Sequence, residues 1–153
     1  MNNMDLNTKP RSATLKTGTV IYGAGKLITM DSTSNTVDLV ANSEVCIGVT
    51  VGASSRDSNL VLQTAAGATV SYYPLGGVQM VQSKNGLTYT LGQVVYAGAD
   101  GLATNSSGSS VKKLGVYVGN GESTAALGAN GAGDTTNTEG TLIAVNTTVH
   151  EIA

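Results

Sequence analysis

Short apolar, β-branched runs interrupted every few positions by glycine constrain this chain more than any other feature of its sequence. Twenty glycines are spread over 153 residues, among abundant Thr, Ser, Val and Asn. Such a composition disfavours long helices and favours short strands joined by tight turns. Gly23-Ala24-Gly25, Asn85-Gly86, Asp100-Gly101 and Asn120-Gly121 are the turn signals. Asn-Gly and Asp-Gly supply the positive φ angles that tight hairpins need. Strands are predicted over 19–22, 26–30, 36–40, 45–51, 59–63, 68–73, 78–82, 87–91, 93–96, 102–104, 111–118 and 141–150. Residues 123–127 carry the single helical hint, and 128–140 read as a loop. The predicted class is all-β: a small β-barrel or sandwich built of short strands.

A chain of this length forms one domain or two small lobes. It buries about 68–70% of its unfolded surface, enough for a core. The core has unusual material to work with. There is no Phe and no Trp, so apart from six Tyr the interior must be aliphatic. Aromatic side chains bury the most area each, and a core without them is thin. Association with partners is one remedy.

Charge is sparse. Charged residues make up 12% of the chain, about half the share in ordinary soluble domains. Lys84 is the one charge between Ser58 and Ala99, and 101–111 and 123–133 carry none. A polar but uncharged Ser/Thr/Asn/Gly surface is one reading; a surface covered by partners is the other, since interface cores are depleted in charge. The net charge of −2 argues against nucleic-acid binding. The first sixteen residues run the other way: Lys9, Arg11 and Lys16 face one acid, Asp5, and Pro10 breaks any regular pattern. This segment, 1–16, is expected to be a flexible arm that docks on an acidic partner, followed by a β domain over 17–153.

An internal echo runs through that domain. Gly18-Thr-Val-Ile-Tyr22, a glycine turn and Lys26-Leu27-Ile28-Thr29 match Gly92-Gln-Val-Val-Tyr96, a turn and Gly101-Leu102-Ala103-Thr104. Ile47-Gly48-Val49-Thr50-Val51-Gly52 then matches Leu114-Gly115-Val116-Tyr117-Val118-Gly119 in the same order. Two similar β units are expected, over roughly 17–75 and 90–150. In each, the Gly-Val pair marks a strand bend or a close backbone approach.

Catalytic constellations are missing from the pattern. His150 is the sole histidine, so a Ser–His–Asp or Cys–His arrangement has one candidate base. Transition-metal sites want clustered Cys and His, and none occurs. Cys46 is alone between Val45 and Ile47, which reads as a buried, inert thiol. The segment 128–134 echoes a calcium-binding turn only faintly, and a single copy cannot build a stacked site. No signal peptide and no membrane-length apolar run is visible. No enzyme activity, cofactor, metal, nucleic acid or membrane partner is expected, and synthesis is expected in the cytoplasm.

The stretch Gly92-Gln93-Val94-Val95-Tyr96, Asp100-Gly101-Leu102-Ala103-Thr104 and Lys113-Leu114-Gly115-Val116-Tyr117-Val118 resembles the small capsid decoration, or cement, proteins of tailed phages. In that family a glycine opens an apolar strand, an Asp/Asn-Gly turn follows, and a Gly-Val strand closes the motif. The positions carrying it here are Gly92, Val94, Tyr96, Asp100, Gly101, Gly115 and Val116. The resemblance covers about 88–150 and, through the echo, 17–52. It implies a virion protein that binds the major capsid protein on the outer surface of an icosahedral shell. It also implies a homo-oligomer, first a homotrimer and second a homodimer, that stabilises capsomer junctions. Lys9, Pro10, Arg11 and Lys16 would form the capsid-contact arm. The alternative is a phage head-fibre or tail-associated β module that binds a host glycan or receptor. Tyr72-Tyr73 is the one aromatic pair for such a role, but neighbouring strand residues point to opposite faces.

Overall fold

The computed structural model describes residues 9–84, 86–119 and 142–150. Strands and two single 3-10 turns are the regular elements among them. In chain order the first strands are β1 (Arg11–Thr14), β2 (Ile21–Tyr22), β3 (Leu27–Asp31), β4 (Thr36–Leu39), β5 (Gly48–Thr50), β6 (Ser55–Arg56) and β7 (Leu62–Thr64). They are followed by β8 (Thr69–Pro74), β9 (Val78–Gln82), β10 (Val94–Ala97), β11 (Ala103–Thr104), β12 (Lys112–Tyr117) and β13 (Leu142–Asn146).

These strands assemble into three antiparallel sheets. One has the order β1-β8-β5-β3-β4, the second β11-β10-β12-β13-β9, and a small third β2-β7-β6. In each large sheet one isolated bridge ties the outer strands: Leu15 with Val37 in the first, Ser83 with Ala103 in the second. The sheets curl toward closure but stop short of a closed barrel. The class predicted from sequence, all-β and sandwich-like, is the class observed.

Side-chain alternation explains the layering. Leu27 and Ile28 are adjacent on β3, point to opposite faces, and are both fully buried. Leu27 joins the larger core with Val49, Val95, Leu114, Ile143 and Val145. Ile28 joins a smaller one with Leu15, Ile21, Val37 and Val70. The first sheet is therefore covered on both sides, and its larger core is shared with the second. Tyr89 and Tyr117 supply the aromatic mass of the larger core, with ring centroids 5.3 Å apart.

Two glycine turns lock the sheets together. Gly101 donates its N–H to the Val40 carbonyl at 2.9 Å. Its φ is +68°, and a Cβ there would lie 2.7 Å from the Leu27 carbonyl oxygen. Gly25, at φ +85°, would place a Cβ 3.1 Å from the Met80 carbonyl oxygen. Beside it the fully buried Gln82 amide donates to the carbonyls of Tyr22 at 3.1 Å and Ala24 at 2.6 Å. The echoed glycines also lie under neighbouring backbone. A Cβ on Gly48 would sit 2.6 Å from the Tyr73 carbonyl oxygen, and one on Gly115 would collide with the Asn146 carbonyl.

Several expectations need correction. Residues 9–16 are not a free arm: Arg11–Thr14 is β1, paired with β8, and Leu15 has no exposed surface. The inward pair Ala13 and Leu15 is too short a period to stand out in sequence, yet β8 offers it a ladder. Residues 87–91 form no strand. Tyr89 instead anchors that segment, its hydroxyl 2.8 Å from Ser83 Oγ, while Asn105 Nδ2 donates to the Thr88 carbonyl. The last strand ends at Asn146, whose side chain accepts from the Thr148 N–H and caps a 3-10 turn at Thr147–Val149. β6 was not expected at all. The helical hint at 123–127, the loop at 128–140, the Asn120-Gly121 turn and the first eight residues lie outside the described residues.

Candidate docking surface

The residues singled out by sequence fall into two separate places. Lys9, Pro10 and Arg11 are exposed at and just before the start of β1, on the outer strand of the first sheet. Lys16 is occupied: its Nζ lies 2.8 Å from the Asp31 carboxylate and 3.2 Å from that of Asp38. Those two acids raise the Lys16 pKa above its ordinary value. In return Lys16, with the backbone N–H groups of Thr33 and Ser34, holds the Asp31 carboxyl down at about 2.

The motif positions do different work. Gly92, at φ +84°, donates to the Tyr117 carbonyl at 2.9 Å and starts the approach to β10. Val94 pairs with Val116 and Val95 with Gly115, and Tyr96 then pairs with Lys113. The register slips there, leaving Leu114 as the extra residue of a bulge that buries its side chain. Asp100 takes φ +60° ahead of Gly101. These seven positions thus build the β10–β12 ladder and the joint between the sheets. None of them lines the apolar groove of the outer surface.

Of the residues on the remaining surface, sequence reasoning had named Tyr73 as a candidate contact and none of its exposed aliphatic neighbours. Val51, Val78, Met80 and Leu142 are large, apolar and exposed. Together with Gly25 and Tyr73 they line a groove of about 500 Å³ between β9 and the first sheet. No charged residue lines it among the described residues. The available signal was the charge-free run around β9, whose sequence Val-Gln-Met-Val-Gln contains neither a charge nor a proline. Tyr72 packs against the smaller core while Tyr73 faces the groove, so the two rings form no common platform.

Cys46 and His150 are turned inward or engaged. Cys46 is buried, its thiol donates to the Gly48 carbonyl at 3.3 Å, and burial pushes its pKa up to about 12. His150 Nδ1 lies 2.6 Å from the Thr147 carbonyl oxygen. Among the described residues no group of three His, Cys, Asp or Glu side chains is placed to hold a metal ion.

No protein-family model and no curated protein matches this chain. Among solved structures it is similar to the N base of the head fiber gp8.5 of bacteriophage phi29, at 16% identity and a TM-score of 0.49, over 95% of this chain and 99% of that one.

Proposed function

We propose that this chain is a non-catalytic structural protein attached to the outside of a tailed-phage head, working as a homo-oligomer. The observation that carries the structural role is the uncharged apolar strip of Val51, Val78, Met80 and Leu142 beside an outer strand. Such a strip is characteristic of surfaces that are covered in the working assembly. The resemblance of 88–150 to capsid decoration proteins supports the place on the virion. A decoration protein seated across capsomer junctions adds contacts that must break before subunits separate. A standard interface of about 1,200–2,000 Å² per contact, engaged more than once by an oligomer, gives attachment through avidity.

The second reading, a head-fibre or tail-associated module for a host glycan or receptor, keeps the same position on the virion and assigns a ligand to the outward surface. Tyr73, which lines the groove together with Gln79, favours it. Co-sedimentation with undecorated heads tests the shared part, with saturable binding expected. Head particles that become more resistant to heat or chelation on binding support decoration. Retention on a glycan array with unchanged head stability supports the fibre reading. No binding to heads at micromolar protein sinks both.

A further inference from the structure

The hairpin joining β6 to β7 carries a backbone conformation that its residue does not favour. Leu60 takes φ +66°. An L side chain in the left-handed region crowds the neighbouring carbonyl, and glycine is the usual occupant of such a position in a hairpin bend. The other non-glycine residues with positive φ are Asn35, Ser43 and Asp100, whose side chains are short and polar. Leu60 is the one aliphatic residue among them, and the core does not put it there. Its side chain belongs to neither apolar cluster, and at 71% it is the most exposed large apolar residue of those described.

The bend holds this conformation in place. Asp57 Oδ1 accepts the N–H groups of Asn59 at 2.8 Å and Val61 at 2.9 Å. The Asp57 carbonyl accepts the Leu60 N–H at 3.0 Å, and the Asp57 N–H donates to the Val61 carbonyl at 2.9 Å. Arg56 Nη1 donates to the Leu60 carbonyl at 2.5 Å. A leucine is thus fixed toward solvent on a strained backbone by the hydrogen bonds around it. Backbone strain that the surroundings enforce, with no core contact to account for it, is a mark of functional positions.

We infer that Leu60 is an anchor that enters an aliphatic pocket, edged by a carboxylate, on a protein of the head surface. Ser55, Ser58 and Asn59 around it are exposed and uncharged, the kind of polar rim that encloses the apolar centre of an interface. Fixing the leucine beforehand removes part of the ordering cost of binding. Arg56 specifies the rest of the partner. One N–H of its guanidinium serves Leu60, and among the described residues no carboxylate pairs with it. A planar donor fork beside the anchor matches a carboxylate on the rim of the pocket. The apolar groove of a second copy offers no charged residue, among those described, to meet that fork, so the partner is a different protein. A glycan has no aliphatic pocket and would leave the leucine in water. The inference rests on the proposed attachment to a head and names the residue that makes the contact.

Thermal melting and co-sedimentation of the full chain with undecorated heads test it together. Leu60→Gly and Leu60→Asn both suit a positive φ and are expected to melt at or above the wild-type temperature. Both are expected to bind heads about tenfold or more weakly, the loss of one buried leucine side chain. Leu60→Met keeps an apolar anchor and is expected to retain most of the binding. Arg56→Gln is expected to flatten the fall of binding with rising salt, since the charged contact is the screened one. Wild type that fails to bind heads overturns the proposed function and this contact with it. Wild type that binds no better than Leu60→Gly and Leu60→Asn overturns this contact alone. Lower melting of both variants makes Leu60 a structural residue and also overturns it. An unchanged salt slope in Arg56→Gln overturns the carboxylate. Loss of an oligomer on replacing Leu60, read by sedimentation velocity, assigns the anchor to a second copy and overturns the foreign partner.

Discussion

The Gln82 side-chain amide donates to the Ala24 carbonyl at 2.6 Å, and with that bond a fully buried residue of the second sheet clasps the turn that leads into the first. The same nitrogen serves Tyr22, 3.1 Å away. Replacing Gln82 with leucine keeps the volume and removes the donor from both carbonyls. Leaving buried acceptors unpaired costs about 1–3 kcal/mol each. Gln82→Leu is expected to lower unfolding stability by about 2–4 kcal/mol in urea titration. A loss under half a kcal/mol would show that water or backbone adjustment satisfies the turn.

Gly115 has the least room of the echoed glycines. An added Cβ meets the Asn146 carbonyl and lies 2.9 Å from Val145 Cγ1. Gly115→Ala is expected to destabilise by about 1–3 kcal/mol, the usual cost of overpacking a filled site. Gly108→Ala, where nothing lies within 4 Å, is the matched control and is expected to change stability little. Equal effects at the two positions would refute the packing account.

Removing residues 1–16 is expected to lower the melting temperature clearly, because β1 and the fully buried Leu15 leave with the segment. Leu15→Ala isolates the core contribution, with an expected loss of about 2–5 kcal/mol. If the truncated chain melts with the intact one, β1 adds nothing to the first sheet.

Acid stability follows from Asp31. Its carboxyl is held at about 2, against 3.8 ordinarily, by Lys16 and two backbone N–H groups. A depressed carboxylate pKa contributes stability above the unfolded value and loses it as pH falls through the folded one. The window here is about pH 4 down to 2. The Lys16 side chain is 43% exposed, so the contribution is small and screened by salt. Asp31→Asn is expected to flatten the pH dependence of melting in that window, and an unchanged slope would contradict the assignment.

At alkaline pH the sign reverses. Burial pushes both Cys46 and Tyr89 up to about 12, from 9.0 and 10.0. Both stay protonated in the fold while the unfolded chain releases its protons, so stability is complete below about pH 9 and lost progressively toward 12. Native Cys46 is expected to react with a thiol reagent at pH 8 only as fast as the chain opens. Labelling at the rate of a free thiol would overturn that.

The sequence by itself determined the all-β class, most strand positions, the glycine turns and the buried cysteine. Those rest on local physics: β-branched alternation, positive φ at Asp100-Gly101, and an apolar run around Cys46. The charge-free stretch also pointed to an uncharged surface without saying which residues form it. Tertiary structure decided what depends on distant partners. Whether Arg11–Thr14 became arm or strand hung on β8, some sixty residues away, and whether 87–91 became strand or loop hung on Ser83 and Tyr117 holding Tyr89. Lys16 was committed to Asp31 and Asp38 by folding alone. The place of β9 at the outside of its sheet is likewise a property of the tertiary structure: period-two alternation gives a strand its two faces, but only strand order decides which strand comes last.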